Sequence, residues 1–140
     1  MKHLIFITTL LILATACNKN QSAVQKLNGN WTAINYEVTE NDSTSDYIEI
    51  GLDFDFHFDN CKLQKNDYCQ ITTTISNNMT SDSDIKLYRV IDDGMTLEIK
   101  DPIVAENTIT YSIDKISSQK VKLEKIESNS VTKITLRKIF

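Results

Sequence analysis

Four polar side chains alternate along one predicted strand: Asp53, Asp55, His57 and Asp59. Neighbours in such a row lie about 6.5 to 7 Å apart on one face, so His57 and one or two carboxylates could in principle bind a metal ion. Zinc, however, needs three or four ligands that converge on a point, whereas a straight strand spreads them along a line. Phenylalanines occupy the positions between them. We therefore predict a solvent-exposed strand face and no metal.

Other catalytic motifs are missing from the sequence. The chain has two histidines, His3 and His57, and only His57 follows the amino-terminal segment, so any Ser-His-Asp or Cys-His site must include it. Neither Gly-x-Ser-x-Gly nor a phosphate-cradling glycine loop occurs. Two of the 19 acidic residues could form a glycosidase pair, but nothing singles out two of them. We expect no catalytic residues, no enzyme activity and no cofactor.

The amino-terminal residues have the layout of a secretion signal. Met1-Lys2-His3 supplies positive charge, residues 4–13 are mainly apolar, and Ala14-Thr15-Ala16 precedes Cys17. The apolar run of about ten residues is shorter than the roughly 18 that a permanent membrane helix requires. This segment therefore indicates a cleaved signal rather than a retained membrane helix.

Ala14-Thr15-Ala16-Cys17 resembles the lipobox of bacterial lipoproteins. The resemblance implies that residues 1–17 are a lipoprotein signal and that Cys17 carries acyl chains, which anchor firmly because each buried methylene contributes about 0.8 kcal/mol. The residues after Cys17 lack an adjacent aspartate and the Lys-acidic-acidic string that resembles surface-export signals of some Bacteroidetes lipoproteins. We expect an outer-membrane protein that faces the periplasm. The alternative is an ordinary secretory signal cut after Ala16.

Length and charge limit the mature chain to one acidic domain. Residues 18–26 are polar and small, which indicates a tether, and residues 27–140 suit a single domain. Loss of Lys2 with the signal leaves 14 basic residues against 19 acidic ones. This balance argues against nucleic acid and against electrostatic adhesion to anionic headgroups. The membrane would be reached through the lipid, and no protein partner is indicated.

Cys61 and Cys69 flank a stretch centred on Lys65-Asn66-Asp67, which is typical of a turn. The two cysteines could therefore face each other across a hairpin, and outside the cytoplasm such a pair should oxidise. A loop of this length would stabilise the fold by about 2 to 3 kcal/mol in the chain-entropy model. The alternative is that the two cysteines form a metal-binding or redox pair. The sequence offers no third ligand nearby to support it.

Period-two alternation of apolar and polar residues predicts an all-β chain. Residues 48–58 alternate most clearly, with Gly51 as a bend or bulge, and short polar links such as Asp92-Asp93-Gly94 require antiparallel neighbours. One short helix is expected at Ser22–Leu27, capped by Ser22 and ended by Gly29. The strands predicted are 31–38, 47–59, 61–65, 68–76, 85–91, 95–100, 107–116, 120–126 and 131–139.

With a single proline and three glycines, the sheet has few devices to block its edges, which favours closure into a barrel. Leu27-Asn28-Gly29-Asn30-Trp31 resembles the Gly-x-Trp opening of lipocalin-like domains. The resemblance implies an up-and-down meander of about eight or nine antiparallel strands forming a lipocalin-like (calycin) barrel. It also implies that Trp31 plugs one end and that Arg137 stacks on it. By strand parity, however, Arg137 would point outward.

Two functions follow from such a barrel. An eight-stranded barrel can hold one small apolar ligand, with a candidate wall of Phe54, Phe56, Leu97 and Tyr111. Alternatively these side chains fill the interior, and the protein acts through its surface as an interaction or envelope assembly module. The polar segments Glu40–Asp46 and Asn77–Asp84 are then expected as mobile rim loops.

Overall fold

The computed structural model describes residues 19–63, 68–104 and 106–140. The predicted signal, Cys17 and the predicted turn at Lys65-Asn66-Asp67 lie outside these residues. Residues 19–27 form a helix, α1. The described residues also form nine strands: β1 (Gly29–Glu40), β2 (Ser43–Asp46), β3 (Asp53–Phe58), β4 (Cys69–Ser76), β5 (Ser81–Ile91), β6 (Thr96–Lys100), β7 (Thr108–Ile116), β8 (Lys120–Glu127) and β9 (Ser130–Ile139).

The strands close into an antiparallel barrel. β3 to β9 follow one another as neighbours, and β1 pairs with β3 on one side and with β9 on the other. Eight strands therefore form the closed ring, and β2 extends it as an additional strand on the far half of β1. The predicted all-β meander is confirmed, because each pairing is antiparallel and consecutive strands are neighbours along most of the chain.

The predicted strand 47–59 is wrong in its first half. Residues 47–51 form a turn, in which Asp46 Oδ1 accepts a hydrogen bond from the Ile48 amide at 2.8 Å. The Gly51 amide bonds to the Ile48 carbonyl at 3.0 Å, with Gly51 at a φ of +89°. This φ suits glycine, which has no Cβ. Gly51 thus marks a turn. Ile50, which the alternation over residues 48–58 would place on the inward face, is 68% exposed.

The connections also differ from the predicted loops. Residues 43–46 of the expected loop Glu40–Asp46 are strand β2, reached through a tight turn in which Asn41 and Asp42 both have positive φ. β5 begins at Ser81, so the other predicted loop shrinks to residues 77–80. Residues 61–63 of the predicted strand 61–65 are not in a strand. The Asp92-Asp93-Gly94 turn is confirmed, with Gly94 at a φ of +86°.

The predicted tether is a packed helix over its described residues. α1 places Ala23, Val24 and Leu27 in the core, with Val24 and Leu27 at 0% exposure. Ser22 lies inside this helix and therefore does not cap it. α1 is also fixed to the barrel end by Asn20 Oδ1, which accepts a hydrogen bond from the Gly94 amide at 2.7 Å. No described helix is long and apolar enough to cross a bilayer.

Because α1 belongs to the core, Leu27→Ala should lower the free energy of unfolding by about 2 to 5 kcal/mol, the usual cost of emptying a buried leucine site. Urea unfolding followed by tryptophan fluorescence measures this loss. Lys26→Ala is the matched control, since Lys26 is exposed on the same helix. Equal stability of the two variants would show that α1 is not part of the fold.

Candidate ligand site at the open end of the barrel

α1 and Trp31 close one end of the barrel, which we call the closed end. Trp31 is fully buried, and its indole Nε1 donates a hydrogen bond to the Leu27 carbonyl at 2.5 Å. The cation above the ring is Lys138, whose Nζ lies 5.2 Å from the ring centroid. Arg137 is exposed instead. Stacking of Arg137 on Trp31 was therefore wrong, because Lys138, not Arg137, shares the inward face with Leu136.

A disulfide also lies at the closed end. Cys61 and Cys69 are bonded, with Cα atoms 5.6 Å apart. Gln21 of α1 joins this loop by two hydrogen bonds: its Nε2 donates to the Cys61 carbonyl at 2.9 Å, and its Oε1 accepts from the Leu63 amide at 3.0 Å. The buried Tyr88 hydroxyl donates to the Asp59 carbonyl at 2.7 Å. Helix, disulfide loop and strands therefore form one packed unit.

The opposite, open end carries an aromatic cluster on the inner face. The Tyr36 and Phe54 ring centroids are 4.5 Å apart, and the Tyr47 ring meets Tyr36 edge-on at 5.5 Å. Tyr47 belongs to the turn after β2, and its amide donates to the Tyr36 carbonyl at 2.9 Å. The turn therefore folds over part of the barrel mouth. The sequence does not point to Tyr47, because residues 47–51 are predicted as strand. It does not point to Tyr36 either, because the depth of a residue within β1 depends on strand stagger.

Burial raises the pKa of two phenols in this region. Desolvation raises the pKa of Tyr111, and the neighbouring Tyr36 phenol adds to the effect. Desolvation likewise raises the pKa of Tyr36, opposed by a hydrogen bond with Tyr111. Both hydroxyls are protonated at neutral pH, as any tyrosine is, and can donate hydrogen bonds within the mouth; the raised pKa extends this to more alkaline pH.

The candidate wall residues divide between the packed core and its edge. Leu97 is 0% exposed, and Phe54 and Tyr111 are each 8% exposed. Leu97 lies directly opposite Tyr111 in the β6–β7 register, so both point inward, as predicted. Phe56 is only half-buried. These side chains pack against the rest of the core cluster.

A half-open pocket of about 400 Å³ lies at the rim beside these residues. Ile99 and Ile109 face each other across β6 and β7, and Lys86 shares the inward face because it lies opposite the buried Ile71. The lining residues are Lys86, Ile99, Lys100, Asp101, Glu106, Asn107, Thr108 and Ile109. None of the four candidate wall residues lines this pocket. Period-two alternation within the predicted strand 107–116 indicates that Ile109 faces inward, but its position at the rim depends on strand stagger.

Charged residues surround the mouth. Lys86 pairs with Asp84 at 3.2 Å, and Lys125 pairs with Glu127 at 3.1 Å. The Lys125 ammonium lowers the pKa of Glu127. Backbone amides of Val104, then Ile103, lower the pKa of Asp101, whose Oδ1 accepts from both. The rim therefore combines an apolar floor with ionised groups of both signs.

The alternating carboxylates and His57 lie along the outer surface of the barrel. His57 Nδ1 lies 2.6 Å from Asn30 Oδ1, and His57 Nε2 lies 3.0 Å from Asp59 Oδ1. Both ring nitrogens therefore have protein partners. Within the described residues, no group of three or more His, Cys, Asp or Glu side chains is placed to hold a metal ion.

No protein-family model and no curated protein sequence matches the chain. A lipocalin-like protein from Bacteroides uniformis superposes with a TM-score of 0.52, covering 81% of this chain and 99% of that chain. The fold is that of a lipocalin-like barrel. A redesigned β-barrel gives the same TM-score of 0.52 and covers 84% of this chain and 96% of that one. At 11% and 17% identity, these similarities concern the fold alone.

Buried phenols should make the lipocalin-like barrel sensitive to alkali. Folding raises the pKa of Tyr36, Tyr88 and Tyr111, so the stability is intact below about pH 10, where unfolded tyrosine ionises. It falls above that pH, because the unfolded chain releases protons that the folded chain retains. Tyr111→Phe should make this fall shallower by up to about 1.4 kcal/mol per pH unit.

Urea unfolding between pH 9 and 11.5 measures the slope, and absorbance at 295 nm follows phenolate formation. The urea-unfolded protein is the control, because all five of its tyrosines should ionise together near pH 10. A native protein that titrates identically to the unfolded one would contradict the burial of these hydroxyls.

Proposed function

We propose that this protein is an envelope lipoprotein, anchored at Cys17, whose barrel binds a small amphiphilic ligand at its open rim. The pocket at the β5–β7 rim carries the ligand part of the proposal. Its volume of about 400 Å³ is within the usual range for small-molecule sites. Ile99 and Ile109 would contact an apolar tail, and Lys86 or Asp101 would meet a polar head.

Attachment at Cys17 would set the orientation of this pocket. Lys19, the first described residue of α1, lies at the closed end beside Gly94. A Cβ atom added to Gly94 would come within 3.3 Å of the Lys19 carbonyl oxygen. Only Asn18 separates Lys19 from Cys17, and two residue steps span at most about 7 Å. An anchored protein would therefore rest with its closed end near the outer membrane and open its rim toward the periplasm.

A second candidate function is a surface interaction module without a ligand. The packing of Phe54, Leu97 and Tyr111 in the interior favours it, as does the exposure of apolar side chains at the open end. Ile50, Met79 and Ile103 are 68%, 93% and 90% exposed on three separate connections. Neither candidate function includes a catalytic step.

The anchor is tested by intact mass spectrometry of the protein from bacterial membranes. We expect a mass increase for a diacylglycerol thioether and one amide-linked acyl chain at Cys17, because the sequence before it resembles a lipobox. Cys17→Ala should abolish the increase and block processing. An unmodified chain that begins at Cys17 would instead support the ordinary secretory signal and refute the anchor.

Ligand binding is tested on residues 18–140, which contain α1 and all nine strands. We expect laurate or dodecylammonium to raise the midpoint of thermal unfolding, since a ligand at 100 times its Kd adds about 2.7 kcal/mol to the free energy of unfolding. Ile109→Trp should weaken this binding about tenfold or more by filling the pocket. Ile85→Trp is the matched control, because Ile85 is 52% exposed and lies opposite the outward Thr72.

Absence of a thermal shift with both amphiphiles would overturn the carrier function and leave the interaction module. Equal weakening by both tryptophan variants would also contradict binding at the rim pocket, since Ile85 is on the outer face.

A further inference from the structure

The basic side chains on the described strands fall into three groups, the smallest of which is Lys100 and Lys138, whose ammonium groups lie over the Tyr68 and Trp31 rings. Four strand residues are paired with nearby carboxylates: Lys86 with Asp84, Arg89 with Glu98, Lys125 with Glu127 and Lys133 with Glu124. Four others, on β7, β8 and β9, form no ion pair with any described residue: Lys115, Lys120, Lys122 and Arg137. These four unpaired residues are exposed.

These unpaired cations lie opposite one another across the sheet. Lys115 is in register with Lys122 between β7 and β8, and Lys120 is in register with Arg137 between β8 and β9. Side chains directly opposite in an antiparallel pair have Cβ atoms about 4.5 to 5.5 Å apart, and like charges there repel. Two such pairs on adjacent strands concentrate positive charge that an anionic partner would neutralise.

Exposed apolar residues adjoin this charge at the closed end. β9 leads from Arg137 to Ile139 and Phe140, which are 47% and 95% exposed. Ile139 lies opposite Asn30 near the start of β1, beside the Trp31 plug. We define the closed-end basic patch as Lys115, Lys120, Lys122, Arg137, Ile139 and Phe140. Cations next to an exposed aromatic side chain suit the interface of an anionic bilayer, where headgroups meet acyl chains.

We propose that the closed-end basic patch docks on the surface of an anionic phospholipid bilayer. Two observations select this occupant: the positive charge of the patch, and the path of the chain, which leaves the described structure at the same end with only Asn18 before Cys17. The orientation rests on the proposed lipid anchor. The patch would hold the barrel upright on the membrane, while the acyl chains would prevent its release.

The acidic composition of the chain does not oppose this contact. Screening limits the attraction to about 8 to 10 Å at physiological salt, so the charges nearest the membrane decide it. The described connections at the open end carry four acidic residues and no basic one: Asp42, Glu49, Asp101 and Glu106. Those at the closed end carry three acidic residues, Asp59, Asp92 and Asp93, together with Lys62. The described connections are therefore more negative at the end that would face away from the bilayer.

The test uses unacylated residues 18–140, so that it does not depend on the anchor. We expect the protein to co-sediment with vesicles of mixed phosphatidylglycerol and phosphatidylcholine and not with phosphatidylcholine alone. Lys120→Glu with Arg137→Glu should reduce the binding about tenfold or more, and Phe140→Ser should reduce it further. Raising the salt should release the unmodified protein.

Lys125→Glu with Lys133→Glu is the matched control, since it changes the net charge equally outside the patch and should bind more tightly than the patch variant. Circular dichroism confirms that each variant is folded, and Phe140→Ser alone tests the patch if the double variant does not fold. Equal binding by both double variants, or equal binding to both vesicle types, would overturn the proposal. Displacement by millimolar inorganic phosphate would indicate a soluble anion site instead and would also overturn it.

This result is separable from the proposed function. If intact mass spectrometry showed no acyl chain on Cys17 while the vesicles still bound, the anchor would fail and the docking surface would stand. If acylation were found without vesicle binding, the docking surface would fail and the anchor would stand.

Discussion

Pairing of the first strand with the last is the constraint on which the rest of the structure depends. β1 and β9 are in register from Asn30 with Ile139 to Glu40 with Ser130, interrupted by one irregularity between Ala33 and Asn35. An open sheet of these strands would leave two edges of unpaired amides and carbonyls available for aggregation. Closure removes those edges without a proline in any described strand. It also creates two barrel ends, each of which must be packed or exposed to solvent.

The closed end is filled by α1, which packs into it. The helix buries Ala23, Val24 and Leu27 against the strands, and its last turn leaves carbonyl groups without helical partners. The Trp31 indole donates to one of these, the Leu27 carbonyl. One side chain therefore fills the barrel end and satisfies the helix terminus. This explains why a short, mostly polar segment belongs to the domain.

Sequence periodicity predicted β6 to β9 closely, because each has one inward and one outward face, and because short polar links join β7 to β8 and β8 to β9. It failed at residues 47–51, where Tyr47 and Ile48 are half-buried by a turn that period-two alternation cannot distinguish from a strand. α1 was missed in part because Ala23, Val24 and Leu27 form less than two helical turns, too few for a clear amphipathic stripe. Strand parity argues against Arg137 as the tryptophan partner, although the resemblance implies it, and the same parity one residue further selects Lys138.

The candidate ligand site could be predicted only in outline, for a reason that lies in barrel geometry. Alternation identifies inward residues such as Leu97 and Ile109, but not their depth, which depends on how the tilted strands are staggered. Leu97 is buried below the mouth, whereas Ile109 is 37% exposed at the rim. Trp31, Phe58 and Tyr88 occupy the lower interior of a ring of eight strands, so space for a ligand is confined to the upper part. Specificity in such a barrel would be set by the rim connections, which vary without disturbing the closure of β1 on β9.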